Sequence, residues 1–489
     1  TNVDINTAGT LIIDDTITDG QEIFLAGTSV VDGSVAGTGN IQMPANLLNG
    51  ETLVLIAQTA DAAEAAIVVD VEAAVLDTAL RTYTVSAVVI GDDDNNITIT
   101  AADNSAATVA SNLGTTTNMG TALIQAGIAV AGDATALDAF TNALNANGYT
   151  ATEDTALAKQ VAPQTDGIAG STSATRAMTG TVQGIISNRM ASLRSGDAYV
   201  TGVAAGYGMS ANSGFLQVFG SDITQKNTTE GSGTEYGYGA DTRGLALGFD
   251  GITESGSVIG LSLSRSNTDV IGKGTGKSTN DIESYTASIY ADKVTDKGYF
   301  EGSLTFGIND NATSRIVNTA GLNRTYKGSY DSEQVSLKIG GGVPHQKKNG
   351  DFIILFGSIT GTLIQTDSYT ETSTTASDNL RLKIAQDDVA SIVGSLGFKA
   401  HKATNNGRAM ISLAINNEFG DDTINSTNTY TGGGSAFTTS TKVEELSATL
   451  GLGYSYGSDR TSLNLGFEAE ANQNDYLSHY GTIKFVQKF

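Results

Sequence analysis

The stretch "GKGTGKST" at 272–279 contains residue types that bind nucleotide phosphates: closely spaced glycines, a lysine and a hydroxyl. A phosphate-binding loop also needs a fixed glycine spacing and a following helix whose first amides bind the anion. Here the spacing between Gly272 and Gly276 is one residue too short, and no helical pattern follows. We therefore interpret 272–279 as a surface loop between strands.

The acidic and histidine residues likewise do not form the sequence pattern of a metal-binding or catalytic site. "GDDDNN" at 91–96 lacks the central glycine and final glutamate of an EF-hand loop, so we interpret it as a solvated turn. His345, His401 and His479 are far apart in the sequence, and the chain has no cysteine. No stretch has the strand–turn–helix pattern of an activated serine. We expect no metal ion, no cofactor and no enzymatic activity.

Charge and composition narrow the class of protein. The 489 residues include 52 acidic and 27 basic ones, for a net charge of -25. This balance argues against a nucleic-acid partner, because phosphate binding needs clustered Lys and Arg. The sequence contains no apolar run of about 18 residues, so we expect no membrane-spanning helix. No leader pattern stands at Thr1, and we expect a removed signal and further residues upstream.

The first 195 residues divide into a β-favouring zone and a helical zone. Short β-favouring runs up to about residue 100 are separated by Gly- and Asp-containing turns. They fit either a sandwich or the last rungs of a β-helix. From about 101 the chain becomes Ala-rich, and Leu137, Phe140 and Leu144 recur at helical spacing. A helix over 171–195 would be about 37 Å long, enough to cross a membrane's thickness, but it is too polar to face lipid.

From about residue 212 onward, apolar and small or polar residues alternate. The clearest run is "LSATLGLGYSY" at 446–456, in which leucine, alanine and tyrosine share one parity. Such alternation predicts strands with one apolar face. Twelve segments are predicted, near 214–223, 238–250, 256–266, 282–292, 298–309, 328–343, 350–365, 381–398, 408–418, 440–456, 460–471 and 476–489.

The links between these segments differ regularly in length. Long links are predicted near 224–237, 267–281, 310–327, 366–380 and 419–439. Short links are predicted between them, near 251–255, 293–297, 344–349, 399–407 and 457–459. The last link, near 472–475, is also short and breaks this alternation. An even strand count with long loops at one end and tight turns at the other is typical of an outer-membrane β-barrel. A soluble sandwich would alternate in the same way along its strands, but its links would not alternate so regularly.

The last nine residues, "GTIKFVQKF", predict how such a barrel closes. Ile483, Phe485 and Phe489 fall on one parity, whereas Lys484 and Lys488 fall on the other. We predict that this strand pairs with the first one, with its apolar side chains facing lipid and its lysines facing the lumen.

From about residue 105 to 489, the chain resembles the autotransporter (type V secretion) family. The resemblance lies in the order of "ALDAFTNALNANG", "QVAPQTDG", "IISNRMASLRSG" and a twelve-strand barrel ending in Phe489. It implies a mainly β fold: a 12-stranded antiparallel transmembrane β-barrel with a helix threading its lumen. The residues that precede it would be a β-rich, β-helix-like passenger stub and an Ala-rich helical linker. The implied boundaries are 1–104 for the passenger end, 105–170 for the linker, 171–197 for the lumen helix and 198–489 for the barrel.

The resemblance also implies contacts between the lumen helix and the barrel wall. A twelve-strand lumen has room for one helix. Polar residues of the helix would then meet lumen-facing carboxylates. The candidates are Arg176, Asn188, Arg189 and Arg194 on the helix, with Asp250, Glu301, Glu468 and Glu470 on the wall.

The implied function is export and anchoring of the chain's own N-terminal passenger at the cell surface. The implied location is the outer membrane of a Gram-negative bacterium, with the N-terminal region extracellular. Expected partners are outer-membrane lipid, periplasmic chaperones and the barrel-assembly machinery, which would read Ile483, Phe485 and Phe489. Two alternatives stay open, a diffusion porin with an open lumen and a surface adhesin or structural protein anchored by a barrel.

Overall fold

The chain forms a barrel, a helix inside it, and a mixed helical and β-rich N-terminal part. The computed structural model describes residues 10–13, 19–20, 22–25, 40–44, 46–57, 75–90, 94–144, 160–161, 165–195, 212–231, 233–253, 255–319, 321–346, 351–375, 378–404, 407–443, 445–457, 461–473 and 475–488.

Twelve antiparallel strands form the closed barrel, as the alternation predicted. They are β8 (Asn212–Gln225), β11 (Tyr238–Ile252), β12 (Ser257–Gly272), β13 (Thr279–Val294), β14 (Tyr299–Thr319), β15 (Leu322–Gln346), β16 (Phe352–Thr366), β20 (Val389–Thr404), β21 (Gly407–Glu418), β24 (Leu446–Gly457), β25 (Thr461–Asn472) and β26 (Tyr476–Lys488). Each strand pairs with the barrel strand before and after it in the sequence, and β26 pairs with β8 to complete the ring. No edge is therefore left unpaired.

Side chains alternate strictly between the two faces of the barrel wall. Along β12, exposed and buried residues alternate without a break, with Ile259, Leu261 and Leu263 outward. Half of the inward positions of the same strand are serine or threonine, and the others are glycine and valine. An apolar exterior around a polar interior is the pattern of a barrel that sits in lipid. The predicted membrane barrel is confirmed.

Beyond the apolar band, the outer surface becomes acidic at one end. Asp241, Asp269 and Asp281 occupy directly opposite positions on β11, β12 and β13, and all three side chains are exposed. Like charges in direct cross-strand pairs are destabilising. This row therefore costs stability where the strands leave the apolar band.

One predicted link and two predicted strands differ from the structure. The segment 310–327 was predicted as a long loop, but β14 and β15 continue through it as one extended hairpin in which Thr319 pairs with Leu322. The predicted strand 381–398 is split, because Leu382–Gln386 belongs to a separate small sheet and the barrel strand begins at Val389. The same split occurs in 440–456, where the barrel strand begins at Leu446.

The loops at one end of the barrel build additional β-structure. The minor strands are β9 (Thr228–Glu230), β10 (Gly233–Glu235), β17 (Tyr369–Thr370), β18 (Thr372–Ser373), β19 (Leu382–Gln386), β22 (Thr423–Tyr430) and β23 (Phe437–Lys442). Strands β17, β19, β22 and β23 pair in that order, and we call them the loop sheet. We call this end of the barrel the long-loop end and the opposite one, with links such as 295–298, the short-turn end.

The N-terminal strands stack in parallel and end in a hairpin. They are β1 (Thr10–Ile12), β2 (Glu22–Leu25), β3 (Asn40–Gln42), β4 (Thr52–Ala57), β5 (Val75–Leu76), β6 (Arg81–Ile90) and β7 (Asp94–Asp103). Strands β1, β3 and β5 are parallel neighbours, as are β2 and β4, whereas β7 is antiparallel to β4 and β6. Parallel stacking of alternate short strands is the arrangement of β-helix rungs and not of an antiparallel sandwich.

Three short helices follow, and we call them the cap helices. They are α1 (Ala106–Leu113), α2 (Thr117–Ala129) and α3 (Ala134–Leu144), with a 3-10 turn at Val130–Gly132. The side chains of Ser105 and Thr116 accept amide hydrogen bonds at the starts of α1 and α2. Gly114 ends α1 in the left-handed region at a φ of 60°, as helix-terminating glycines commonly do.

A fourth helix, α4 (Thr165–Ser195), runs inside the barrel. Near its start, Gly167 lies against Ser278 at the long-loop end. Near its end, Arg194 contacts Asp292 and Glu301 on either side of the 295–298 turn. The helix therefore passes along the lumen from the long-loop end to the short-turn end. Among the described residues, no helix has the length and apolar character that a membrane-crossing helix requires.

Candidate functional site in the barrel lumen

Helix α4 packs against one wall of the barrel through an apolar stripe. Its wall-facing residues recur at spacings of three and four, which places them on one face of the helix. They are Ala174, Met178, Val182, Ile185, Ile186 and Met190. Their partners on the wall are Phe215, Phe219, Ile223, Tyr238, Ala240, Ala246, Val270, Ile282, Tyr290 and Val486. This contact buries apolar surface that would otherwise face a wet lumen.

Glycines in the wall make room for the aromatic rings of this interface. A Cβ added to Gly248 would lie 2.3 Å from the ring of Phe215, and one added to Gly260 would lie 2.1 Å from the ring of Tyr290. Each ring thus lies flat over a neighbouring strand and leaves space for the helix. Lumen-facing glycines of the wall are therefore needed for this packing.

Arg189 and Asp250 form a fully buried ion pair between the helix and β11. Two parallel hydrogen bonds join them, from Nε to Oδ2 at 2.6 Å and from Nη2 to Oδ1 at 2.7 Å. Each side chain is only 2% exposed. Tyr290 donates a further hydrogen bond to Asp250 at 2.9 Å, and Ser213 contacts both partners. A bidentate guanidinium–carboxylate pair fixes both position and rotation of the helix.

Arg194 bridges two carboxylates near the short-turn end. It donates to Asp292 and, at 2.8 Å, to Glu301. These two acids lie directly opposite each other on β13 and β14, so a cation between them removes their repulsion. The guanidinium carbon also lies 3.6 Å from the centre of the Tyr299 ring.

Arg176 contacts Glu418 nearer the long-loop end. The distance from Nη2 to Oε2 is 2.5 Å, and the arginine keeps some exposure to the lumen. Glu418 is held in place by the hydroxyl of Ser391 at 2.6 Å and by the amides of Ile392 and Gly420 at 2.6 and 2.9 Å. The three arginines thus fix the helix at three levels of the barrel.

Uncharged side chains add hydrogen bonds between these levels. Thr179 contacts Gln334 through their side chains at 2.7 Å. The amide of Gln183 donates to Thr305 at 3.1 Å and to the carbonyl of Ser336 at 3.3 Å, and its oxygen accepts from Ser303. These contacts give buried polar groups on the helix partners that they would otherwise lose with water.

The opposite side of the helix faces a cavity of about 2060 Å³. Asn188, Glu468 and Glu470 all line it. Glu470 accepts a hydrogen bond from Ser447 at 2.5 Å, and within the described residues no ion pair joins Glu468 or Glu470 to the helix. The helix lies on β11–β14, which leaves the two glutamates on the far wall.

The residues predicted to signal barrel assembly lie on the closing strand. Ile483 and Phe485 point outward with 56% and 48% of their surface exposed, whereas Lys484 on the other parity is buried in the lumen. Ile483 is opposite Val218 of β8, and Phe485 is opposite Leu216. Phe489 lies outside the described residues.

Two carboxylates that contact the helix were missed by the sequence analysis, Glu418 and Asp292. Both lie on the lumen-facing parity of predicted strands. The alternation pattern alone would therefore have made them candidates for contact with the helix. A second signal points to Asp292. The short link at 293–297 places it directly opposite Glu301 on the next strand. Because two facing carboxylates repel each other, this pair predicts a cation between them.

A comparison with protein families bears on this architecture. The family model described as the autotransporter beta-domain matches residues 214–469, which is more than half of the chain. The chain belongs to the autotransporter family. The barrel is therefore an outer-membrane translocator, and family membership favours this function over a diffusion porin.

Solved structures of autotransporter barrels are similar to the chain at low identity. The translocator domain of the autotransporter NalP from Neisseria meningitidis is 13% identical, with 64% of this chain and 98% of that chain covered and a TM-score of 0.47. The beta domain of the Bordetella autotransporter BrkA is 15% identical, with 57% and 100% covered and a TM-score of 0.39. The transport unit of AIDA-I from Escherichia coli is 10% identical, with 62% and 97% covered and a TM-score of 0.39. No curated protein matches the chain.

Proposed function

We propose that this translocator exports and anchors residues 1–164 at the cell surface and that helix α4 is the tether. The supporting observation is the path of the chain. The N-terminal strands and cap helices precede a helix that starts at the long-loop end, passes down the lumen, and ends where the barrel strands begin. In outer-membrane barrels long loops are extracellular and short turns are periplasmic.

The arginine contacts of the lumen helix support its role as an anchor. A pull on the N-terminal region would have to break the pairs of Arg176, Arg189 and Arg194 with the wall. A buried charge that loses its partner is strongly destabilising. We infer that these three residues keep the exported segment attached, with Asp250 and Glu301 as wall partners. Asn188, Glu468 and Glu470 would instead keep the adjoining cavity hydrated.

We further infer that Ile483, Phe485 and Phe489 form the signal for the barrel-assembly machinery. The first two lie on the outward face of the closing strand, where a partner in the membrane can read them before β26 pairs with β8. Replacing Phe485 with aspartate is expected to lower the amount of barrel in the outer membrane. The same change at Thr482, which is half-buried on the inward parity, is the control.

Protease treatment of intact cells tests display. With residues 1–164 outside, added protease should cleave exposed sites within them and leave a protected C-terminal fragment that contains α4 and the barrel. The same protease applied to lysed cells controls for intrinsic resistance. If the N-terminal region is cleaved only after the outer membrane is opened, it lies in the periplasm and the proposal is wrong.

A further inference from the structure

Helix α4 does not fill the barrel. It covers the wall from β11 to β14, and the cavity beside it, about 2060 Å³, has room for tens of water molecules. Its lining is rich in serine, threonine and asparagine from β16, β20, β21, β24, β25 and β26. A space of this size and polarity would conduct water and small ions if both of its ends were open.

The cavity runs along the whole barrel and ends beneath the cap helices. At the short-turn end it reaches Thr461, the first residue of β25, and its cross-strand partner Gln487 of β26. At the long-loop end its lining includes Ser440 of the loop sheet and Asn118 at the start of α2. The side-chain amide of Asn118 donates a hydrogen bond to the backbone carbonyl of Ser440 at 3.4 Å. Helix α2 and the loop sheet therefore meet over the end of the cavity.

One continuous apolar core joins the cap helices to the barrel loops. It includes residues of all three helices, of the β14–β15 hairpin and of the loop sheet. Its members include Leu123, Leu137, Phe140, Tyr326, Tyr430 and Phe437. Tyr430 also donates a hydrogen bond to the carbonyl of Val161 at 3.1 Å. The helices are therefore docked on the loops as tightly as elements of one domain.

A buried arginine at the tip of the β14–β15 hairpin holds the helices and the loops together. Arg324 donates to both carboxylate oxygens of Asp133, at 2.5 and 2.9 Å, and to Asp378 at 2.8 Å. Asp133 precedes α3 and also accepts from the amide of Ala136 at 3.2 Å. Burial by itself would raise the pKa of Asp133, but the hydrogen bonds from Arg324 and Ala136 outweigh it and lower the pKa.

Glycines permit the close approach of the loops to the helices. A Cβ on Gly432 would lie 2.3 Å from Asn379 and 2.5 Å from the carbonyl oxygen of Ala129 at the end of α2. A Cβ on Gly233 would lie 2.2 Å from the backbone of Thr115 between α1 and α2. Two separate loops thus fit the helices at backbone distance.

We propose that the cap helices, docked on the loop sheet, are the seal of the barrel, so that the permeability barrier after export lies at the cell surface and not at the lumen helix. The cap helices, residues 106–144 of the segment predicted as a linker, then have a second role as a lid. This inference rests on the barrel spanning the membrane, and it is independent of what the exported region does.

Ion conductance of the purified full chain in planar lipid bilayers, with potassium chloride as the probe, tests the seal. Arg324→Ala removes the charge that joins Asp133 to Asp378, while α4 and its contacts stay intact. Breaking a buried pair of this kind should shift the docking equilibrium by roughly 100-fold or more, which would appear as frequent open-channel events. Arg265→Ala is the matched control, because Arg265 pairs with Glu283 on the outer wall, away from the cavity.

A second variant and a cross-link guard against simple misfolding. Gly432→Ala should displace α2 and also raise conductance, whereas Gly361→Ala, with open space around the added methyl, should not. The chain has no cysteine, so Asn118→Cys and Ser440→Cys can be joined by a short thiol cross-linker. This link should return the conductance of Arg324→Ala toward the wild-type value.

Protease sensitivity of residues 105–144 reports independently whether the cap helices are released. Released helices together with raised conductance support the seal. Released helices with wild-type conductance would overturn it and place the barrier at α4. A wild-type channel that already conducts as well as the variants would overturn it too. Display of the N-terminal region is measured separately on cells, so the two proposals can fail independently.

Discussion

The Arg189–Asp250 pair gives the sharpest quantitative prediction for the lumen helix. Removing either partner leaves the other charge buried, which typically costs about 3–5 kcal/mol. Arg189→Ala leaves Asp250 with hydroxyl donors from Ser213 and Tyr290, so we expect the lower end of that range. Asp250→Ala removes both hydrogen bonds to the carboxylate and leaves a buried guanidinium without its counter-charge, so we expect the upper end.

A double-mutant cycle isolates the pair from the loss of packing. The double variant removes both charges and should be less destabilised than the sum of the singles, with a coupling of about 2 kcal/mol or more. The free energy of unfolding is measured by denaturant titration in detergent micelles. The exposed pair Lys226–Asp475 is the control and should couple by less than about 1 kcal/mol. Additivity within about 0.5 kcal/mol at Arg189 and Asp250 would refute the anchoring argument.

Three further predictions concern packing, pH and surface charge. Gly248→Ala drives a methyl into the ring of Phe215 and should lower unfolding stability by about 1–3 kcal/mol, whereas Gly361→Ala should be nearly neutral; thermal unfolding compares them. Because the pKa of Asp133 is lowered in the folded state, its contribution to cap docking is complete above its ordinary value of 3.8 and is lost as pH falls through the lowered pKa. Protease cleavage of the cap helices should therefore rise at acid pH in the wild type, and Asp133→Asn should flatten that rise. Asp269→Asn relieves repulsion from both neighbouring strands and should raise stability by about 0.2–1 kcal/mol at low salt, with the gain shrinking as salt is added.

Within the membrane, sequence alternation predicted the strands closely. Lipid outside and water inside impose opposite requirements on successive residues. The patterns at 446–456 and 460–471 therefore indicate membrane-spanning strands clearly. Above the membrane both faces of a strand meet water or protein, and that requirement disappears. This is why the upper part of the β14–β15 hairpin, at 310–327, was interpreted as a loop.

The docking of the cap helices and the pairing of the N-terminal strands could not be predicted from the sequence, for a different reason. Strands such as Thr10–Ile12 and Val75–Leu76 are too short to show a period, and their parallel partners are many residues away. The docking of the cap helices depends on contacts such as Arg324–Asp133, between residues with no spacing rule. By contrast, the sequence holds enough information to predict that Asp292 and Glu301 face each other, although the sequence analysis named only Glu301. The tight turn between the two strands sets their register.

The position of the lumen helix also bears on the order in which the barrel is completed. The ladder between β8 and β26 joins residues from opposite ends of the barrel sequence, so it carries the largest loop-closure entropy of the ring. One apolar cluster contains Met178, Val182 and Ile186 of α4, Phe215 and Phe219 on one side of that ladder, and Val486 on the other. The cluster therefore spans the junction between the first and the last barrel strand. Because α4 supplies part of this cluster, the contact across the junction is complete only once α4 occupies the lumen.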